Sequence, residues 1–366
     1  MHRPVTRRGS AASRPRAPVD PSIDPPSVQL TILIPAYNEA ASLADTVASL
    51  RTQTVRPAEI IVIDDCSTDD TGALARSLGV TVVRPPRNTG SKAGAQNFAL
   101  SHVRTPYTMA IDADTTLAPD AIELLMRAFT DPEVAAACGF VVPRRVRTLW
   151  ERGRYIEYLF AFSFYKQVQD YYEKPLISSG CFSAYRTAAL RAHGGWGMRT
   201  LAEDMDLTWS FYESGLKVRF VPEAVCYPLE PHSFSFMRKQ LRRWSHGFVQ
   251  NVRLHWRALL DVPFLRSAVA VSLWDATLAA VVYLLLLPVL AIALRNPWLL
   301  LGYVIDVPAV LVPVIAGAAP RRELRRALAS MPAFLVLRTV NAVFFLGAAW
   351  SEWILGRQFR VYEKGH

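Results

Sequence analysis

Residues 28–65 read VQLTILIPAYNEAASLADTVASLRTQTVRPAEIIVIDD, and this stretch decides the fold. It opens on a run of β-branched and aliphatic residues that stops at Pro35. Residues 40–51 then carry apolar side chains at helical spacing, and a second β-branched run ends on Asp64-Asp65. Strand, helix, strand in 38 residues is the signature of a parallel βαβ unit, because a parallel partner strand needs a crossover rather than a tight turn. The pattern repeats downstream. Runs of strand length at 80–84 and 107–112 are separated by helical stretches at 70–78 and 92–103. Alternation of this kind predicts an α/β domain of parallel βαβ units, Rossmann-like, with helices on both faces of the sheet. Ligands of such sheets bind beyond the carboxyl ends of the strands.

Polar residues collect at those ends. Pro35-Ala36-Tyr37-Asn38-Glu39 closes the first strand, Asp64-Asp65 the second, and Asp112-Ala113-Asp114 the fourth. Two carboxylate pairs at neighbouring strand ends repel one another unless a cation sits among them. A divalent ion with oxygen ligands, holding a diphosphate, is the natural occupant. Asn88-Thr89-Gly90-Ser91-Lys92-Ala93-Gly94 precedes a helix, a place where glycine and lysine cradle phosphate. Its spacing is not that of a P-loop, and no G-x-G-x-x-G follows the first strand, which disfavours ATPase and dinucleotide readings. Glu203-Asp204-Met205-Asp206 forms a further acidic cluster. Gln240-Leu241-Arg242-Arg243-Trp244 is the main basic-aromatic one.

Composition sets the outer limits. The 366 residues are 51% hydrophobic and 20% charged, with 41 Lys+Arg against 31 Asp+Glu for a net charge of +10. Cys66, Cys138, Cys181 and Cys226 lie far apart with no zinc spacing, which excludes a disulfide scaffold or zinc finger. Residues 1–27 are basic and Pro-rich, the composition of a disordered tail. The segments 273–294, 298–318 and 331–355 are each long and apolar enough to cross a bilayer. Four arginines at 321–326, against Arg295 alone in the preceding link, put the second link on the cytosolic side. Three crossings then leave the C-terminus outside, with the soluble domain cytosolic on the plasma (inner) membrane. Residues 234–260 mix arginines with aromatic and aliphatic side chains, as a helix among anionic headgroups does. The basic excess sits in the tail and the membrane flanks, so anionic lipids, not nucleic acid, are the expected partner.

In order, Pro-Ala-Tyr-Asn-Glu, Asp-Asp-x-Ser, Asn-x-Gly-x-Lys-Ala-Gly, Asp-x-Asp, Ser-Gly-Cys-Phe, Glu-Asp and Gln-x-x-Arg-Trp resemble the family-two inverting nucleotide-sugar glycosyltransferases. The likeness spans roughly residues 28–265 and is greatest to the membrane-embedded processive type, the poly-N-acetylglucosamine, chitin-oligosaccharide, hyaluronan and cellulose synthases. It implies a GT-A-like catalytic domain at 28–231, amphipathic interface helices carrying Gln-x-x-Arg-Trp at 232–266 and a transmembrane region at 267–366. Pro35, Ala36, Tyr37, Glu39 and Asp65 would hold the nucleoside of a UDP-sugar. Lys92, Asp112 and Arg243 would meet the rest of the donor, and Asp114 with Asp112 would hold Mg2+ or Mn2+. Asp204 would be the general base. Ser179, Gly180, Cys181, Phe182, Glu203 and Trp244 would face the glycan acceptor. In relatives a threonine commonly stands where this chain has Ala202, and a membrane span commonly precedes the catalytic domain. A polyprenyl-phosphate sugar transferase and an inactive scaffold of the same fold remain the competing readings, and self-association into a homo-oligomer stays open.

Overall fold

The computed structural model describes residues 27–305 and 307–361. The basic tail expected at 1–27 therefore lies, apart from Ser27, outside the described residues, as does Asp306. The first strand, β1 (Ser27–Ala36), is followed by helix α1 (Leu43–Arg51) and by β2 (Arg56–Asp64). Then come α2 (Thr71–Ser77), β3 (Thr81–Val83), α3 (Lys92–Leu100) and β4 (Tyr107–Ile111). These four strands are mutually parallel, in the order β3-β2-β1-β4, as the alternating pattern requires.

Beyond β4 the sheet changes character. β5 (Thr116–Leu117), β6 (Val134–Val141), β7 (Phe182–Arg186) and β8 (Lys217–Tyr227) extend it in the order β4-β7-β6-β8-β5. β7 runs antiparallel to both β4 and β6, and β5 antiparallel to β8. β6 carries Val-Ala-Ala-Ala-Cys-Gly-Phe-Val, buried at every position, because layers of side chains cover both of its faces. Ile32 and Ile34 of β1 belong to one apolar layer and Leu33 to the other. Helices α4 (Ala121–Met126), α5 (Leu149–Phe160), α6 (Lys166–Tyr171), α7 (Thr187–Ala192) and α8 (Glu203–Glu213) complete the domain. α5 starts on a capping box in which Thr148 and Glu151 satisfy each other's backbone N–H groups, and a π-turn at Ala161–Tyr165 joins it to α6.

The C-terminal part begins with α9 (Phe234–Leu254), α10 (Ala258–Asp261), α11 (Pro263–Val281) and α12 (Leu287–Ala293). After α13 (Val307–Ala318), α14 (Leu324–Ala349) closes the chain. Among the described residues, three helical segments, Pro263–Ala293, Pro297–Ala318 and Leu324–Ile354, are long and apolar enough to cross a membrane. The third runs along α5 and α9. At its start Tyr155 of α5 donates to Glu323 at 2.9 Å, and midway Leu337 packs on Met237 and Leu241 of α9. At its far end Glu352 meets His246 at 2.9 Å and Gln250 at 2.7 Å, both on α9. The chain after it stays there too: Gln250 donates to the Phe359 carbonyl at 2.8 Å, and the Arg242 guanidinium lies 3.9 Å from the Phe359 ring centre. Packing along α5 and α9 buries a third of its most apolar window, and Val336, Val343, Trp350 and Ile354 remain exposed.

Candidate active site

The carboxyl ends of β1, β2 and β4 open into a cavity of about 1090 Å³ that runs on between α9, α11 and α14. Pro35, Ala36, Tyr37, Glu39, Asp65, Lys92, Asp112 and Asp114 line its sheet end. Ser179, Gly180, Cys181, Glu203, Asp204, Arg243 and Trp244 line the part facing them. Side chains scattered over more than 200 residues of sequence thus share one cleft. Phe182 does not join them. It is fully buried at the start of β7, with its ring against Gly139, and does not line the cavity.

Local chemistry explains the placement. Asp64 is tied inward, paired with Arg84 and accepting from the Ser67 N–H at 2.9 Å, so it serves the strand end rather than the cleft. Its neighbour Asp65 accepts from the Thr89 N–H at 2.8 Å and the Thr89 hydroxyl at 2.9 Å, which anchors the loop before α3. Ser91 caps that helix by accepting from the Gly94 N–H at 3.1 Å, leaving Lys92 at the first helical position aimed into the cleft. Gly94 is required there, since a Cβ would stand 2.8 Å from the Thr89 side chain. Lys92 pairs with Asp112 and donates to the Gly180 carbonyl at 2.8 Å, so one cation joins the fourth strand end to the loop before β7.

Asp114 lies beside the fourth strand end. Burial first, then the charges of Asp112, Glu39 and Glu230, push its carboxyl well above the usual carboxylate range. Acids that feel one another this strongly make that part of the cleft short of positive charge, with hard oxygen donors suited to a small divalent cation. Among the described residues no three acids or histidines are already gathered as a metal cage. The fit is therefore to an ion held by one or two carboxylates plus phosphate oxygens and water, the usual arrangement for magnesium at phosphates.

Across the cleft, the N-terminus of α8 presents Glu203 and Asp204. Asp204 accepts from the Gly180 N–H at 2.8 Å through one oxygen, while the other accepts from the Met205 N–H at 2.9 Å. Glu203 is buried, and burial together with the Asp204 charge raises its pKa against the opposing pull of Lys92 and Arg243. Lys166, itself buried, donates to the Ser179 hydroxyl at 2.6 Å and braces the 179–181 turn from behind.

Arg154 is not among the residues that the motifs single out. Fully buried in α5, it pairs with Glu157, donates to Gln240 at 2.7 Å and lies 4.5 Å from the centre of the Trp244 ring. Its Nε is 3.6 Å from Glu230, whose other oxygen accepts from the Tyr158 hydroxyl at 2.8 Å. Burial raises the Glu230 pKa, and Arg154 holds it back. One guanidinium thus touches both ends of Gln-x-x-Arg-Trp. The usable signal was Glu151, Arg154 and Glu157 at successive i+3 positions behind a Thr-x-x-Glu helix start, a charged line on a segment otherwise rich in aromatics.

A mixed sheet of this order, with acids at its strand ends, is a GT-A-like fold. Residues 31–194 match the profile of glycosyl transferase family 2. The poly-beta-1,6-N-acetyl-D-glucosamine synthase of Staphylococcus aureus strain COL is 28% identical over 223 residues, 60% of this chain and 54% of the relative. The enzyme of the same name from Staphylococcus epidermidis is 27% identical over the same length. The chain thus spans about half the length of the curated relatives it matches. Among solved structures, the mannosyltransferase PcManGT from Pyrobaculum calidifontis, in complex with GDP-Man and Mn2+, superposes with a TM-score of 0.57. The two share 20% sequence identity, over 92% of this chain and 89% of that one, a likeness of fold.

Proposed function

We propose that this chain is a membrane-associated inverting glycosyltransferase. It moves a sugar, N-acetylglucosamine by likeness to the staphylococcal synthases, from UDP to the hydroxyl of a glycan acceptor. The observation that carries the reading is the Asp204 carboxylate, fixed by the Gly180 N–H in the same cavity as Asp65, Lys92 and Asp114. The catalytic domain at 28–231 works at the cytosolic face of the plasma membrane in this reading, with the segment 232–266 at its surface and the apolar helices beyond it.

A sugar hydroxyl is a weak nucleophile at neutral pH, so a positioned base has to take its proton as it attacks. Asp204 accepts that proton. The hydroxyl oxygen forms its bond to the anomeric carbon while the bond from that carbon to the diphosphate oxygen breaks, and UDP departs with the electron pair. Attack from the face opposite the leaving group inverts the centre, so an α-linked donor gives a β-linked product. One acid on the acceptor side suffices, unlike the paired carboxylates of glycoside hydrolysis. Asp114, with Asp112, would hold Mg2+ or Mn2+, which supplies charge neutralisation at the diphosphate. Arg243 and Lys92 bring fixed positive charge to the same leaving group. Tyr37 and Asp65 line the end where the nucleoside lies. Trp244, fixed by Arg154, offers an aromatic face to the acceptor.

The test is to incubate the purified chain with a panel of UDP-sugars and either Mg2+ or Mn2+, following UDP release and product mass. One sugar should be turned over in a metal-dependent way. Absence of UDP release from every donor refutes the reading.

A further inference from the structure

The cavity does not end at Asp204. It continues as an arm between the Ala161–Tyr165 turn, α6 and α11, walled by Phe164, Val168, Phe264, Ala268, Val271 and Ala276. Phe164, Val168 and Val271 are about half exposed, so its mouth is apolar as well as its walls. The far wall belongs to α11 and α14, parts of two of the three segments long and apolar enough to cross a membrane.

The polar side chains in this arm are mostly occupied by the protein itself. Arg338 donates to Asp275 at 2.8 Å, Asn341 to Glu157 at 2.9 Å and Ser272 to the Ala268 carbonyl at 2.9 Å, with Asn341 Oδ1 left over. A bare glycan lying here would bury hydroxyls without partners, which is costly. A hydrocarbon chain would instead find matching walls, and a route in from the bilayer alongside α11.

We propose that the acceptor is a sugar carried on an acyl or isoprenoid chain. The chain lies in this arm, and the sugar hydroxyl meets Asp204. This rests on the transferase reading above and names the class of its acceptor. It also assigns the apolar arm a task in the reaction, that of measuring and anchoring the lipid.

The experiment uses the full chain in nanodiscs, with whichever UDP-sugar gives the fastest UDP release. Acceptors are free N-acetylglucosamine and its butyl and decyl β-glycosides, and transfer is followed by product mass. Because each buried methylene favours binding severalfold, the decyl glycoside should show a KM at least tenfold below that of the butyl glycoside. Ala268→Trp and Ala276→Trp, which fill the arm, should abolish that difference while UDP release into water stays within about twofold of wild type. Equal KM values for the two glycosides in the wild type overturn the proposal, as does a difference that survives in both variants. Transfer to free N-acetylglucosamine with none to either glycoside also overturns it. Loss of UDP release from every donor would instead remove the transferase reading beneath it.

Discussion

Replacing Gly180 with alanine tests the position of the proposed base without touching its chemistry. A Cβ at this position would stand 2.8 Å from Asp204 Oδ2 and 3.3 Å from Lys92 Nζ, where ordinary contact begins near 3.4 Å. Gly180 has no positive φ, so the backbone itself tolerates alanine. The strain has to be relieved by moving the carboxylate, by about 0.6 Å on the difference between those distances. That shift also stretches the 2.8 Å hydrogen bond from the Gly180 N–H. Misplacing a reacting group by about 1 Å costs roughly a hundredfold in rate, so a kcat loss of about 10- to 100-fold is expected. Steady-state UDP release should show that loss with the donor KM within about threefold of wild type and an unchanged melting temperature. A cycle with Asp204→Asn adds a sharper test. If Gly180→Ala acts through the carboxylate, the double variant should be no slower than Asp204→Asn alone. A kcat for Gly180→Ala within twofold of wild type would refute the assignment of Asp204.

Three further outcomes are expected. Asp204→Asn should abolish transfer while leaving UDP affinity, measured by calorimetry, within a few fold; full activity rules the base out. Asp114→Ala should raise the Mn2+ concentration needed for half-maximal UDP release at least tenfold, whereas an unaltered metal titration would count against its role. His255 joins Asp206 at 2.8 Å and Glu213 at 2.6 Å, tying α9 to α8. Burial alone would lower its pKa, but those two acids raise it above 6.5 overall. A group whose pKa is raised on folding stabilises below its unfolded value, and that stability is lost as pH rises through the folded one. Burial opposes ionisation of Asp206, yet His255 and Arg199 lower its pKa below 3.8, so its contribution disappears only at strongly acid pH. The melting temperature should therefore fall from pH 6 to pH 9, and His255→Gln should flatten that slope; identical slopes would argue against the clamp.

Much of this was legible in the chain because three of the first four strands, β1, β2 and β4, end on polar residues, and β-branched runs broken by helical spacing leave few alternatives. The second half of the sheet was harder to see. β6 is alanine-rich and covered on both sides, so neither alternation nor β-branching marks it, and β7 was visible only as a motif. Phe182 was misplaced because a motif treats neighbours alike. Phe182 begins β7 and is fully buried in the core, whereas Cys181, just before the strand, also reaches the cavity. α14 shows a different limit. A hydropathy window measures how much water a helix avoids, but not whether lipid or protein takes its place. The 28–231 assignment also passed over α5, whose Arg154 braces the Gln-x-x-Arg-Trp segment through contacts no linear spacing encodes.

The chain after α14 docks against α9. Phe359 is held through its N–H by Glu352 and through its carbonyl by Gln250, and Arg360 reaches a small hollow bordered by Gly90, Ser91 and Glu203. Gly90, Ser91 and Glu203 also line the main cavity, so the segment that ends at Val361 bears on the wall of the candidate site itself.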